Sequence, residues 1–469
     1  MGPTSDLSLT GAPQAAELAR SRWLAWLFLI YALPAVIFSA VAMPPFQVAA
    51  DENAHVLRAD QIARGTLIAH GLGTVDGGLV DFVALYESMW FHPEVKQTEA
   101  LARRAGAIGW AGPRDGVNFQ NTAQYGPLLY APQAISMLSG LTLAHTLLLA
   151  RLINGLLCCA IGFAAVATCR RGRALTFATL LLPMTLSQIG SASQDALLIT
   201  LSLLTVALAS RVLAQERPAT TTEFAVFACV VMATTLARPS QIALALLAPA
   251  FVGWRDPVWR QKALVALLAA APIAIWMRLL KTLMPPAPPG SSASLQFEHL
   301  ITHPLALPTV MAQTLIRDRQ WLWETVIGRL GWLDTTMPGW YYIAATVVLA
   351  IALIAPGNRG PSLRPAVLGI VTLLGLLTLT CFALYLSWTP VDKPWIDGLQ
   401  GRYMLPVLPL VAWLVPSYSP RLEKALALTW WPVLLFPIVT LAILPGVIME
   451  RYYGSWQVMA ASLRALLLS

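Results

Sequence analysis

Two adjacent carboxylates, Asp51 and Glu52, lie in the stretch Pro44 to Gly65, PPFQVAADENAHVLRADQIARG. After the proline pair the pattern reads as a short helix, with acids in its first turn and Gly65 as its stop. Asp51, His55 and Arg58 then stand at i, i+4 and i+7 and share one face. A carboxylate at a helix N-terminus is held ionised by the helix dipole, which suits an acceptor of protons or of a metal. The same residues would also make an ordinary capped interfacial helix. Glu52 and His55 have the i, i+3 spacing of carboxylate-bridged metal sites, but no second Glu-x-x-His occurs in the chain. Nor is DENAH the HExxH of zinc peptidases, whose histidines lie four apart.

Composition fixes what must position these groups. The chain has 469 residues, 57% of them hydrophobic and only 12% charged, with a mean hydropathy of +0.64. That is far too apolar for a soluble protein and implies an all-α integral membrane fold. Cys158, Cys159, Cys169, Cys229 and Cys381 all lie in or at the edges of apolar runs, so neither a disulfide framework nor a cysteine metal site is implied. The net charge of +8 reads as a topology signal rather than as a nucleic-acid footprint.

Residues 1–22 read as a cytoplasmic tail, polar and mobile over 1–20, and the run from Trp23 to Met43 is long enough to span a bilayer, with no cleavage site following it. Further candidate spans are 146–168, 174–190, 195–214, 222–237, 239–254, 262–283, 339–356, 365–388, 402–418 and 425–446. Arg170/Arg171/Arg173, Arg211/Arg217, Arg255/Arg260/Lys262, Arg359/Arg364 and Arg421/Lys424 fall at alternate ends, on one side with Arg20/Arg22. The positive-inside rule then gives about eleven spans with the N-terminus in the cytoplasm. It also places 127–140 at the outer interface rather than across the bilayer, because a span there would put Arg170 to Arg173 outside. The expected organisation is a catalytic membrane module over 23–283 with an outer loop at 44–145, a second outer loop at 284–338, a C-terminal membrane module at 339–446 and an outer tail at 447–469.

This topology gathers Asp51/Glu52, Gln194/Asp195, Arg238, Arg317 to Arg319, Asp334, Asp392 to Asp397 and Arg402 on the outer side. Ionisable groups near a bilayer are costly unless paired or used. Outer arginines beside outer carboxylates suit a phosphate-bearing lipid head group held by Arg and a hydroxyl activated by Asp or Glu. Arg402, in Gln400-Gly401-Arg402-Tyr403, and Arg238 would hold the phosphate or serve as interfacial anchors. Asp195 would cap the following span or touch substrate, and Asp334 would contact a sugar or fix its loop. Trp90, Trp110, Tyr125, Trp332, Trp340 and Tyr341 can stack on sugar faces, although an interfacial aromatic belt explains most of them.

PPFQVAADENAHVLRADQIARG, LPMTLSQIGSASQDALL, IGRLGWLDTTMPGWYY and LQGRYMLPVLPL resemble, in that order, the recurring blocks of the bacterial membrane family called domain of unknown function 2142, which looks like a branch of the GT-C glycosyltransferases. PLLYAPQAI followed by LLLARLINGLL is similar to aminoarabinose and protein mannosyl transferases of that clan. The resemblance implies inverting transfer of a sugar from a polyprenyl-phosphate carrier to a glycan or lipid-linked glycan acceptor at the periplasmic face of the bacterial inner membrane. It assigns Asp51 as general base, Glu52 as its partner or substitute, and Arg402 or Arg238 as the phosphate ligand, with His55, Arg58, Tyr125, Asp195, Trp332, Asp334 and Tyr403 around the substrates. No cofactor is required by the sequence, which leaves a divalent cation, Mg or Mn, undecided. A glucose-type hexose and an O-antigen acceptor are the expectations for sugar and polymer.

Two other classes fit a polytopic chain. A lipid-linked-sugar transporter should carry midplane charges and an internal repeat, neither of which is visible here. An assembly protein would make Asp51 and Glu52 dispensable. No GxGxxG follows a strand pattern, which disfavours direct use of a nucleotide sugar.

Overall fold

The computed structural model describes residues 11–69, 72–215, 217–253, 255–283, 290–355, 363–416, 418, 421, 426 and 429–468. Arg359 and Lys424 of the expected basic clusters, and residues 1–10 of the expected tail, lie outside these.

The apolar runs fold as helices, because in hydrocarbon only a helix or a closed barrel satisfies every backbone N–H and C=O. Six described helices are long and apolar enough to cross a membrane: Arg22–Ala42 within α1 (Gly11–Ala42), α7 (Leu143–Thr168), α10 (Gln194–Leu213), Trp259–Leu279 within α12 (Trp259–Leu283), α17 (Leu363–Ser387) and α18 (Trp431–Tyr452). Three apolar helices are shorter: α11 (Thr221–Ala237), the 3-10 segment Pro239–Ala250 and α16 (Gly339–Leu353).

Two expected spans are not single helices. The run 174–190 breaks into α8 (Arg173–Leu180) and α9 (Pro183–Ile189), because Pro183 has no N–H to continue the ladder. The run 402–418 becomes 3-10 segments Gly401–Met404 and Leu408–Leu414 around Pro406 and Pro409. Two boundaries also differ from the sequence reading. Residues 11–20, read as tail, continue α1, and α18 does not stop near Pro445 but runs to Tyr452 with Pro437 and Pro445 inside it. Membrane helices tolerate such prolines where neighbouring groups re-satisfy the freed carbonyls.

α1 packs on α7, α7 on α10, and α10 on α11. The α1–α7 contact is close because Gly162 faces Phe28; a Cβ on Gly162 would sit 2.7 Å from the Phe28 ring. Small residues serve this purpose where apolar helices meet in lipid. α17 packs on the segments Pro239–Ala250 and Leu408–Leu414, and α16 on α8 and α18.

The segment after α1 carries α2 (Glu52–Ala63), α3 (Gly77–Ala84), α4 (Glu99–Gly106) and α5 (Gln120–Ala123) around an antiparallel pair of strands, β1 (Leu72–Asp76) and β2 (Pro113–Asn118). Asp76 joins them. Its carboxylate accepts from the N–H groups of Gly78, Leu79, Ala111 and Gly112 and from Arg64. Burial alone would raise its pKa, but the backbone donors outweigh burial and hold it below the usual carboxylate value. Residues 127–137 form a 3-10 turn (Pro127–Tyr130) and the seven-residue α6 (Ala131–Met137), too short to span.

The second polar segment folds as α13 (Ala293–Thr302), α14 (Ala306–Arg317) and α15 (Arg319–Ile327), then strands β3 (Arg329–Leu330) and β4 (Thr335–Thr336). It is sewn to the first. Gly331 bridges Ala49, and Trp332 donates its indole N–H to Phe46 O at 2.9 Å while stacking on Trp90 at 4.3 Å. Arg451, near the end of α18, donates to Asp334 at 2.7 Å and to Met89 O at 2.9 Å, and the Tyr452 hydroxyl donates to Gln47 O. α19 (Trp456–Leu467) packs on α4. The turn that carries Asp51 is therefore held from three sides.

Candidate active site

Asp51 and Glu52 are neighbours in sequence and face opposite ways. Asp51 is the N-cap residue of α2 in the left-handed region, φ 66°, a conformation open to Asp at small cost. Its side chain makes no cap hydrogen bond. Instead Oδ1 accepts from Asn121 Nδ2 at 2.9 Å and Oδ2 lies 4.0 Å from Arg402 Nη2, with 42% of the side chain exposed. The residue is thus not spent as a cap.

Glu52 is fully buried. Its two oxygens accept from Arg151 Nε at 2.9 Å and Nη2 at 2.8 Å, from Ala192 N–H at 2.9 Å and from Val48 N–H at 3.4 Å. Arg151 also donates to Ala40 O, Met43 O and Pro44 O, and so takes up carbonyls freed where α1 ends. The pair is an internal tie between α1, α7, the turn before α2 and the start of the loop before α10. A lone arginine in the run LLLARLIN was the sequence signal for it, since an unpaired charge there would be costly.

A second layer of polar residues meets Asp51 from other elements. His55 is buried, exchanges a hydrogen bond with the Tyr130 hydroxyl at 2.8 Å and stacks on Tyr125 at 6.3 Å. Arg238, which ends α11, reaches both oxygens of Asp195 at 2.8 and 2.9 Å. Its guanidinium lies 4.9 Å from the Tyr403 ring and 5.9 Å from the Tyr125 ring. Both alternatives read for Asp195 are thus joined by a third geometry: Ser193 is the N-cap of α10, and Asp195 is the partner of Arg238. Tyr403 stands between two cations, with Arg402 at 5.7 Å.

Arg402 is the unusual member. Only 4% of its side chain is exposed, and neither Nε nor Nη1 meets a hydrogen-bond acceptor among the described residues. A buried guanidinium usually finishes in full pairing, as Arg151 does. Its place is set by Gly401, whose N–H donates to Thr325 Oγ1 at 2.8 Å and where a Cβ would stand 1.9 Å from Leu322 O. No larger residue fits that crossing.

Three sequence-derived candidates stand elsewhere. Arg58 is on α2 but donates to Gln61, Thr66 O and Leu67 O, closing the chain behind the helix. Trp332 and Asp334 lie in the packing between the two polar segments. Asn121 and Tyr130 were not singled out from the sequence, because nothing in NTAQYGPLLY announces a partner 70 or more residues upstream.

Among the described residues no group of three or more His, Cys, Asp and Glu side chains could hold a metal ion. Glu52 is taken by Arg151, His55 by Tyr130, and Asp51 faces a guanidinium. These residues do not fit a divalent cation.

The family described as "Predicted membrane protein (DUF2142)" matches residues 33–411. The chain is a DUF2142 protein. The match spans α1 to the segment Leu408–Leu414 and so includes Asp51, Asp195, Arg238 and Arg402. No curated protein matches this DUF2142 chain. Among solved structures, ArnT from Cupriavidus metallidurans in the apo state is similar at 15% sequence identity, over 84% of this chain and 76% of that one, with a TM-score of 0.29.

Burial lowers the pKa of His55 below its ordinary 6.5, against the opposing pull of Asp195 and Asp51. The unfolded chain therefore binds a proton at pH values where the folded site does not. Stability carried by neutral His55 is present above pH 6.5 and is lost as pH falls below it. The thermal midpoint of the purified protein should drop between pH 7.5 and 5.5, and His55→Gln should flatten that part of the profile. An unchanged slope in the variant would assign the pH dependence to other groups.

Proposed function

We propose that this protein is an inverting glycosyltransferase of the bacterial inner membrane, with its N-terminus in the cytoplasm and its site at the periplasmic face. It moves a sugar from a polyprenyl-phosphate carrier to an envelope glycan. A hexose such as glucose and an O-antigen acceptor are our choices for the two ends of the transfer. The observation that carries this reading is a half-exposed carboxylate 4.0 Å from a buried guanidinium with two nitrogens unpartnered.

The acceptor hydroxyl attacks the anomeric carbon and its proton passes to Asp51. The new C–O bond forms as the bond between the anomeric carbon and the phosphate oxygen breaks, and the bonding pair leaves on the polyprenyl phosphate. Arg402 faces that anion and stabilises the charge as it develops. One base suffices because the phosphate leaves as a stable anion. Asn121 fixes the Asp51 carboxylate by its 2.9 Å hydrogen bond, and Arg238 with Tyr125 and Tyr403 forms the wall of the site. Glu52 positions the turn and takes no proton.

Arg402→Ala should raise the KM for a polyprenyl-phosphate hexose by at least about tenfold, since charge-assisted hydrogen bonds to phosphate are worth roughly 1.5–3 kcal/mol. Arg402→Lys should recover part of this, because a lysine supplies the charge without the planar fork. An Arg402→Ala protein with wild-type KM would move the phosphate to Arg238 or away from this site.

A further inference from the structure

Two clefts adjoin the Gly401–Met404 segment and share Leu399 and Gln400 as their common wall. The first, of about 380 Å³, lies between α15 and α17 and is lined by Leu322, Val326, Leu373, Leu374, Leu377 and Met404, with Arg319 and Trp323 also at its wall. Leu373 to Leu377 are in the middle of α17, ten or more residues before its end at Ser387. At 1.5 Å per residue they stand about 15 Å or more from the end of a helix long and apolar enough to cross a membrane. Leu374 is largely exposed, so this cleft opens outward on the apolar face of α17.

The second cleft, of about 290 Å³, is the more polar of the two and is lined by Arg317, Asp318, Trp321, Asp397 and Gln400 together with the apolar Ile396 and Leu399. Its charges are already matched: Arg317 pairs with Asp318 and Lys393 with Asp397. Arg317 also lies over Trp395 at 4.1 Å. Such a cleft has no surplus cation for a phosphate. What it offers is acceptor oxygens, an indole edge and Gln400, whose side-chain Oε1 is a buried acceptor with no donor among the described residues.

We propose that the two clefts form one site for a hydrocarbon-linked saccharide, with the tail in the apolar cleft and the sugar in the polar one. The clefts are neighbours that meet at Leu399 and Gln400, so an occupant that fills both must be amphiphilic. Its head should be a hydroxyl-rich glycan rather than a phosphodiester because the charges beside the polar cleft are already paired, and Arg319, at the wall of the apolar cleft, donates to Ile316 O. Naming this ligand as the acceptor rests on the transferase reading of Asp51 and Arg402: Gly401 borders the apolar cleft and Arg402 is the next residue, so a lipid-anchored acceptor would reach the site from this side.

The test is photolabelling of the full-length protein in nanodiscs with a dodecyl maltoside carrying a diazirine in its alkyl chain. Label is expected on the α17 peptide that holds Leu373 to Leu377 and on the α15 peptide that holds Val326. Unlabelled dodecyl maltoside should compete at least about tenfold better than dodecylphosphocholine, and free maltose should compete poorly. Leu374→Trp should cut labelling severalfold, and Gln400→Leu should keep labelling while losing the preference for maltoside. Equal competition by the phosphocholine detergent would reduce the cleft to an ordinary lipid groove and overturn the proposal, as would label confined to other helices; both results are read in the wild-type protein and do not depend on a variant folding. Labelling needs no turnover. Specific label without sugar transfer would defeat the transferase reading alone, and transfer without specific label would defeat this one alone.

Discussion

Asp51→Asn should insert and fold normally while kcat falls by about 10²–10⁴, the usual contribution of a positioned general base. Folding should survive because Asp51 supplies no cap hydrogen bond, is 42% exposed, and keeps an acceptor oxygen for Asn121 as the amide. Asn is also at ease in the left-handed region that this position requires. KM for the carrier-linked donor should change little, because Arg402 and not Asp51 faces the phosphate. Single-turnover kinetics on the purified variant would separate the two quantities. Unimpaired turnover would remove the assignment of Asp51 as base.

Glu52→Gln, one residue away, should fail for a different reason. Removing one charge leaves Arg151 buried with a neutral partner, and breaking a buried pair costs about 3–5 kcal/mol. The loss would be felt at the end of α1, in the turn of Asp51 and at Ala192 together, since all three are tied to this pair. A lower thermal midpoint and a lower yield of folded protein are expected. An Arg151→Met, Glu52→Leu double variant should recover only part of that stability, because apolar replacement removes the buried charges but leaves Ala40 O, Met43 O and the Ala192 N–H without these partners. It would also show whether the site works without either charge. A stable Glu52→Gln protein with no turnover would instead make Glu52 a catalytic residue.

These contrasting outcomes mark the boundary of what sequence reading reaches. The apolar runs, their rough limits and the polar residues between them were legible, because a bilayer imposes the same length and satisfaction rules on every segment. The segments 174–190 and 402–418 were misjudged as continuous because hydropathy does not register the lost N–H of Pro183, Pro406 and Pro409. The β1–β2 pairing went unseen since LGTVD and PRDGVN lack alternating apolar residues and lie 36 residues apart. Asp51, His55, Arg238 and Arg402 could be picked out singly, as charges at the ends of apolar runs. That Asp51 turns to Asn121 and Arg402 while Glu52 turns to Arg151 depends on one left-handed residue and on contacts 70 or more positions apart. No local pattern encodes those contacts.

The most direct test is turnover of a polyprenyl-phosphate hexose by the purified wild-type protein in nanodiscs, followed as release of polyprenyl phosphate with a glycan acceptor present. Sugar transfer with inverted anomeric configuration is the predicted result. Tight binding of the carrier with neither transfer nor release of the sugar would contradict the account and leave a binding or transport role for the same site.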